Sequence, residues 1–160
     1  MLPEIPRERQ LDILRKMLMV RRAEEHVIRF NEDYEGLIRG HFHVYIGQEA
    51  TGVPVCAALA KDDYVFSTHR NHGHVIAKGG DAGKVLAEII GRGTGYCLGR
   101  AGTFHVAAPE LKIVHTSAIV GGCLPLTAGT AFAPQVQQSL AVTVVFFGDG
   151  AMEEGVFYES

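Results

Sequence analysis

Cysteine is scarce in this chain: it has three, Cys56, Cys97 and Cys123, widely spaced and with no Cys-x-x-Cys pair. That spacing gives neither a structural zinc site nor a disulfide framework, so reduced thiols in a cytoplasmic setting are expected. Charge of one sign is lacking too. The net charge is −3 at pH 7 and no basic run occurs, so no nucleic acid partner is expected. No apolar stretch is long enough to cross a membrane without polar or helix-breaking interruption. Pro3, Glu4, Pro6, Arg7, Glu8 and Arg9 stand where a secretory leader would be apolar, so none is expected. There is no internal repeat and no low-complexity segment. What is left, at 47% hydrophobic over 160 residues, is the composition of one soluble globular domain.

What the chain does have is one strongly patterned stretch near its end. Leu140 to Phe147 is a continuous apolar run rich in β-branched and aromatic residues. It suits a strand buried on both faces, as in a parallel sheet. Gly148-Asp149-Gly150 stops it, and two glycines let the backbone turn tightly and approach a ligand. From Ala151 the sequence reads as a helix, with Glu153 and Glu154 in its first turn. Strand, glycine turn and helix N-terminus together make an anion-binding corner. Asp149 either caps that helix or ligates a hard divalent cation, magnesium for choice, which would screen it from a bound phosphate. The third glycine of a dinucleotide fingerprint is replaced by Glu153, and no Walker Lys-Ser or Lys-Thr follows.

The rest of the chain alternates helices and strands, which predicts an open α/β sheet. The apolar periodicity of Leu11, Leu14 and Leu18, with Ile13, Met17 and Val20 beside them, predicts a helix from Arg7 to about Tyr34. A second helix is expected from Gly47 to Leu59, with Pro54 kinking it or near its first turn. Tyr64-Val65-Phe66-Ser67 reads as a short strand, and His69 to His74 would then lie at its carboxyl end. Asp81 can cap a helix from Ala82 to Ile90. Gly91 to Gly102 is a glycine-rich loop carrying Arg92 and Arg100, either an active-site segment or an interface loop. Ile119 to Val136 reads as a helix of small residues. No helix stop follows Phe157-Tyr158-Glu159-Ser160, so the expected fold is truncated within its last helix.

Seven of the histidines (His41, His43, His69, His72, His74, His105 and His115) are expected in loops or at element ends. His69, His72 and His74 could be metal ligands, buried hydrogen-bonded core groups, or neutral donors to an anion beside Arg70. A zinc site lacks a further ligand nearby. Arg70 offers a guanidinium fork for phosphate, or an ion pair with Asp62 or Asp63.

Four blocks appear in one order: His43 to Ala50, His69 to His74, Ile119 to Gly122 with Pro125, and Gly148-Asp149-Gly150 with Glu154-Gly155. Together they resemble the alpha subunit of the decarboxylating component of 2-oxo acid dehydrogenase complexes, of the pyruvate and acetoin dehydrogenase type. The resemblance covers almost the whole chain. It implies an N-terminal helical segment over 1–40, then a partial thiamin diphosphate-binding α/β domain over 41–160, with a mostly parallel sheet flanked by helices. The cofactors implied are thiamin diphosphate and Mg2+, with Asp149 as a metal ligand and a second ligand, an Asn, farther downstream. Arg70 matches the arginine on the diphosphate, and His69 stands where relatives often carry Tyr. Ala118 and Val120 match the segment that receives the aminopyrimidine. Many relatives have Gly at Ala118, so that contact needs a negative φ here. Leu124 matches the bulky residue under the thiazolium, or is plain core. Gly148, Gly150 and Ala151 complete the cofactor set, and His43 and His72 are the catalytic candidates.

The resemblance further implies a beta subunit in an alpha2-beta2 assembly that supplies the acid activating the cofactor. A lipoyl-bearing acyltransferase would receive the acyl group, and a 2-oxo acid would be the substrate. The block from His43 to Ala50 speaks against branched-chain members. Acetoin cleavage by the same machinery is the near alternative. More distant ones are a magnesium-dependent phosphohydrolase or receiver-like domain, which would need further acids at strand ends, and a non-catalytic assembly domain.

Overall fold

The computed structural model of the protein describes residues 4–160, so Pro3 and the start of the 1–40 segment lie outside it. Helix α1 runs Arg7–Asp33. Its inward face is the row Ile13, Met17, Val20, Glu24 and Val27, spaced three and four apart, as a helical period demands. Leu11, Leu14 and Leu18 lie on the neighbouring row and stay exposed. The leucine stripe of the sequence is therefore not the core face.

Helix α2 spans Glu49–Ala58 with Pro54 in its interior. Strand β1, Tyr64–Thr68, follows. A short helix the sequence did not announce, α3, then occupies His72–Ala77, all of it buried. His72 thus opens a helix, an element end as expected, while His74 lies inside it. Helix α4 covers Ala82–Ile89, and Asp81 Oδ1 accepts from Lys84 N at 2.9 Å, the cap expected of it. Strand β2, Ile113–Ser117, was also not anticipated, and it carries His115. Helix α5 spans Cys123–Val136. It starts later than expected, because Gly121 at φ 73° turns the chain at residues 119–122.

Strand β3 is only Thr143–Val145. Leu140 is 98% exposed and Val142 and Phe147 are exposed as well, so the run over 140–147 is not buried on both faces. The reason is its place in the sheet. The order is β2-β1-β3, all parallel, which among the described residues leaves β3 at an edge, paired to β1 alone. After it, Asp149–Glu153 forms a 3-10 turn and α6 is Gly155–Glu159. Glu153 and Glu154 therefore precede α6 and do not fill its first turn.

The core lies between the sheet and α1 to α4, where Val65 and Ile113 meet Val20, Val53 and Val75. Alternation along β1 turns Phe66 to the other face, the side on which α5 packs. Buried Asp63 accepts from Ala60 N at 2.7 Å and from Val142 N at 2.9 Å. That clamp fixes the start of β3 beside β1.

Candidate cofactor site

In a parallel sheet every strand delivers its carboxyl end to one edge. Here β1 delivers Thr68, His69 and Arg70, β2 delivers Ser117 and Ala118, and β3 delivers Phe146, Phe147 and Gly148. Two cavities open along this edge, of about 140 Å³ and 380 Å³. They share Thr68, His69, Phe146, Phe147 and Gly148 as a common wall. The smaller adds Ala118, Val120, Leu124, Gly150 and Ala151. The larger adds Arg70 and Asp149. All nine residues singled out for cofactor binding thus line one continuous edge.

Arg70 is half-buried. One guanidinium nitrogen donates to Val44 O at 2.6 Å, which holds the side chain in place. Its backbone N–H donates to Thr68 Oγ1 at 3.1 Å. No carboxylate among the described residues pairs with it. The alternative ion pair with Asp62 or Asp63 is not made, and Asp63 serves the clamp instead. Arg70 therefore presents unused N–H donors to the larger cavity, the arrangement a phosphate needs.

His69 packs edge-on to His43, with ring centroids 4.9 Å apart, and His43 stacks on Phe104 at 5.4 Å. Burial, then the neighbouring His43 and Arg70, hold His69 below the usual histidine range. It is the neutral form that offers one ring N–H and carries no charge.

Gly148 has φ −81° and ψ 159°, which any residue can adopt. A Cβ at Gly148 or Gly150 would meet nothing within 4 Å. The turn therefore does not demand these glycines, contrary to the expectation from the sequence. Their effect is to leave bare backbone facing open space, where a ligand can approach closely. Ala118 is outside the left-handed region, so the condition for a backbone contact there is met. Leu124 is buried under the smaller cavity.

His72 is the exception. It is 1% exposed. Its Nδ1 lies 3.0 Å from Glu24 Oε1 and its Nε2 lies 2.9 Å from Thr103 O. Both ring nitrogens are taken, so the structure moves His72 from the catalytic set to the core, where it ties α3 to α1. His74 is equally closed, between Ser67 Oγ at 2.7 Å and Tyr45 Oη at 3.0 Å. Its ring stacks on Phe146 at 3.8 Å, and burial pushes its pKa down to about 3. It forms part of the floor of the larger cavity, a role the sequence did not signal. Phe146 and Phe147, the shared wall, were legible only as strand residues.

The residues fit a diphosphate: a guanidinium with donors to spare, a neutral histidine and exposed glycine backbone. For a metal they are a partial set. No group of three or more His, Cys, Asp or Glu side chains that could hold an ion occurs among the described residues. Asp149, which is exposed, offers one hard oxygen ligand.

Fold and edge together define an α/β domain with two adjoining cavities at the carboxyl ends of its parallel strands. The chain belongs to the dehydrogenase E1 component family, whose model matches residues 15–160. It is 41% identical over 152 residues to the alpha subunit of acetoin:2,6-dichlorophenolindophenol oxidoreductase of Bacillus subtilis, covering 95% of this chain and 45% of that protein. It is 41% identical over 167 residues to the pyruvate dehydrogenase E1 component subunit alpha of Zymomonas mobilis, covering 99% and 46%. A similar subunit of Rhizobium meliloti is 39% identical over 158 residues, covering 98% and 44%. The chain spans a little under half the length of these relatives.

Proposed function

We propose that this chain carries one side of a thiamin diphosphate site in an E1 alpha subunit that oxidatively decarboxylates pyruvate. The observation that supports this most is the gathering of Arg70, His69, Gly148 and Asp149 around one cavity, with Leu124 and Ala118 in the next. Arg70 and His69 would bind and orient the diphosphate. Asp149 would be one oxygen ligand of a Mg2+ ion shared with it, the other ligands coming from phosphate, water and residues outside this chain. Leu124 would press on the cofactor's middle and Val120 would receive its ring through the backbone. His43, held between His69 and Phe104, would hold a proton near the substrate. The bound cofactor supplies the carbanion chemistry of decarboxylation. A beta subunit would complete the site in an alpha2-beta2 assembly, and a lipoyl-bearing acyltransferase would take the acyl group. Among the described residues no helix is long and apolar enough to cross a membrane, and a cytoplasmic location accords with the free thiols of Cys56, Cys97 and Cys123.

A second reading, acetoin cleavage, is favoured by the Bacillus subtilis relative, whose name specifies acetoin. The discriminating experiment is co-expression of the intact alpha protein with its beta partner. The assembly is then assayed with thiamin diphosphate and Mg2+ on pyruvate and on acetoin. Turnover of pyruvate in preference to acetoin is the expected result, and the reverse preference would install the second reading. No turnover of either by a cofactor-loaded assembly would overturn both.

A further inference from the structure

The glycine-rich loop over 91–102 has no part in the site above, and it is not slack. Glu88, wholly buried at the end of α4, lies beneath it. Glu88 Oε2 accepts from Cys97 N at 2.7 Å and Gly99 N at 2.9 Å, and Oε1 accepts from Ala101 N at 2.7 Å. Three charge-assisted bonds to one carboxylate fix the returning limb of the loop. The two limbs then touch. Gly91 and Gly99 both have positive φ, 70° and 74°, and a Cβ on Gly99 would come within 2.5 Å of Gly91 C and 2.8 Å of Arg92 N. Only glycine permits that crossing. Each crossing glycine is followed by an arginine, so closing the loop brings Arg92 and Arg100 to the same place.

Arg39 joins them from the segment after α1, and all three line a cavity of about 480 Å³. No side chain of the three makes a hydrogen bond or an ion pair among the described residues. Glu88, the carboxylate beneath, has both oxygens committed to backbone N–H groups. Arg92 and Arg100 on the braced loop, with Arg39 beside the same cavity, repel one another unless an anion joins them. The cavity is far larger than a single phosphate requires and falls in the size range of small-molecule sites.

We propose that Arg39, Arg92 and Arg100 form a binding site for a phosphorylated small molecule, separate from the edge that holds Arg70 and Asp149. The ligand class is a polyanion with at least two phosphate groups, which two or more guanidinium forks can grip at once. An acidic peptide is the other chemistry such a cluster could meet. The small molecule is favoured because the three exposed arginines line a single cavity of about 480 Å³.

The test uses the intact protein with its partner, first saturated with thiamin diphosphate so that the Arg70 corner is occupied. Inorganic phosphate, pyrophosphate and ATP are then titrated by calorimetry at low and at moderate salt. Pyrophosphate or ATP is expected to bind more tightly than phosphate, and more weakly as salt rises. Arg92→Gln with Arg100→Gln should reduce that affinity by about tenfold or more, and Arg39→Gln alone should reduce it less. Thiamin diphosphate affinity should be unchanged in every variant. Absence of binding by all three probes at millimolar concentration would overturn the proposal. So would binding that survives the double substitution, or that disappears in Arg70→Lys and not in the loop variants.

Discussion

Arg70 commits one guanidinium nitrogen to its own fold, through Val44 O at 2.6 Å, and keeps the rest for a ligand. Lysine would keep the charge and lose the fork. Arg70→Lys should therefore weaken thiamin diphosphate binding by about one to two powers of ten, the scale of a lost charge-assisted hydrogen bond. Thiamin lacks the phosphates, so its affinity should not change. Calorimetry with both compounds reads the difference, and an equal loss for thiamin would mean that Arg70 does not read phosphate. His74 makes a prediction of another kind. Burial lowers its pKa from 6.5 to about 3. Between those values the unfolded chain takes up a proton that the folded chain refuses, so lowering the pH favours unfolding. The contribution of His74 to stability is intact above pH 6.5. Below that it should fall by up to about 1.4 kcal/mol per pH unit. Urea titrations of wild type and His74→Gln across this window should give a shallower pH slope for the variant. Parallel slopes would mean that His74 titrates normally in the fold.

Among the elements, α2 and α3 meet over Tyr45, and two glycines allow it. A Cβ on Gly52 would strike the Tyr45 hydroxyl, and on Gly73 it would strike the Tyr45 ring. Neither glycine has a positive φ, so closeness and not backbone conformation excludes a side chain. Gly52→Ala should cost about 1 to 3 kcal/mol, as overpacking of a core does. Because the hydroxyl is the nearest atom, the same substitution should cost less in a Tyr45→Phe background. Equal costs in the two backgrounds, measured by urea denaturation, would mean that the contact is not the cause. What the sequence disclosed at this scale follows from length and punctuation. Helix α1 was legible because 27 residues show their period. Helix α4 was legible because Asp81 marks its start. Helix α3 has six residues and no side-chain cap, too short to display a helical period. Strand β2, Ile-Val-His-Thr-Ser, has two exposed residues in its middle and does not alternate. The end of β3 was overread because an apolar run does not report how many of its residues find a partner. Arg70, Asp149 and the glycines sit at strand ends, and strand ends of a parallel sheet meet wherever the strands begin. His72 was misassigned because its partners, Glu24 and Thr103, lie 48 and 31 residues away, and no local pattern announces them.

For the whole molecule, the two sides of the sheet differ. The side of α1 to α4 holds the larger core, while the α5 side leaves large apolar groups in water. Phe132 is 64% exposed, Val136 65% and Ile119 74%. Strand β3 adds an unpaired edge, led in by the fully open Leu140. An apolar surface beside an open strand edge is a template for association. Charge does little to oppose it, since the net value is only −3. The 160-residue chain produced alone should therefore associate, with a weight-average mass that climbs above 17.4 kDa as concentration rises. It should also show no 2-oxo acid decarboxylation, because Asp149 is a single acid and the proposed mechanism takes its activating acid from another subunit. Sedimentation velocity over a range of concentrations tests the first part. Phe132→Glu, which puts a charge on the exposed face of α5, should shift the distribution back toward monomer. A chain that stays at 17.4 kDa throughout would mean that α5 and β3 are covered in solution by some rearrangement. A monomer that turned over pyruvate would overturn the shared-site mechanism.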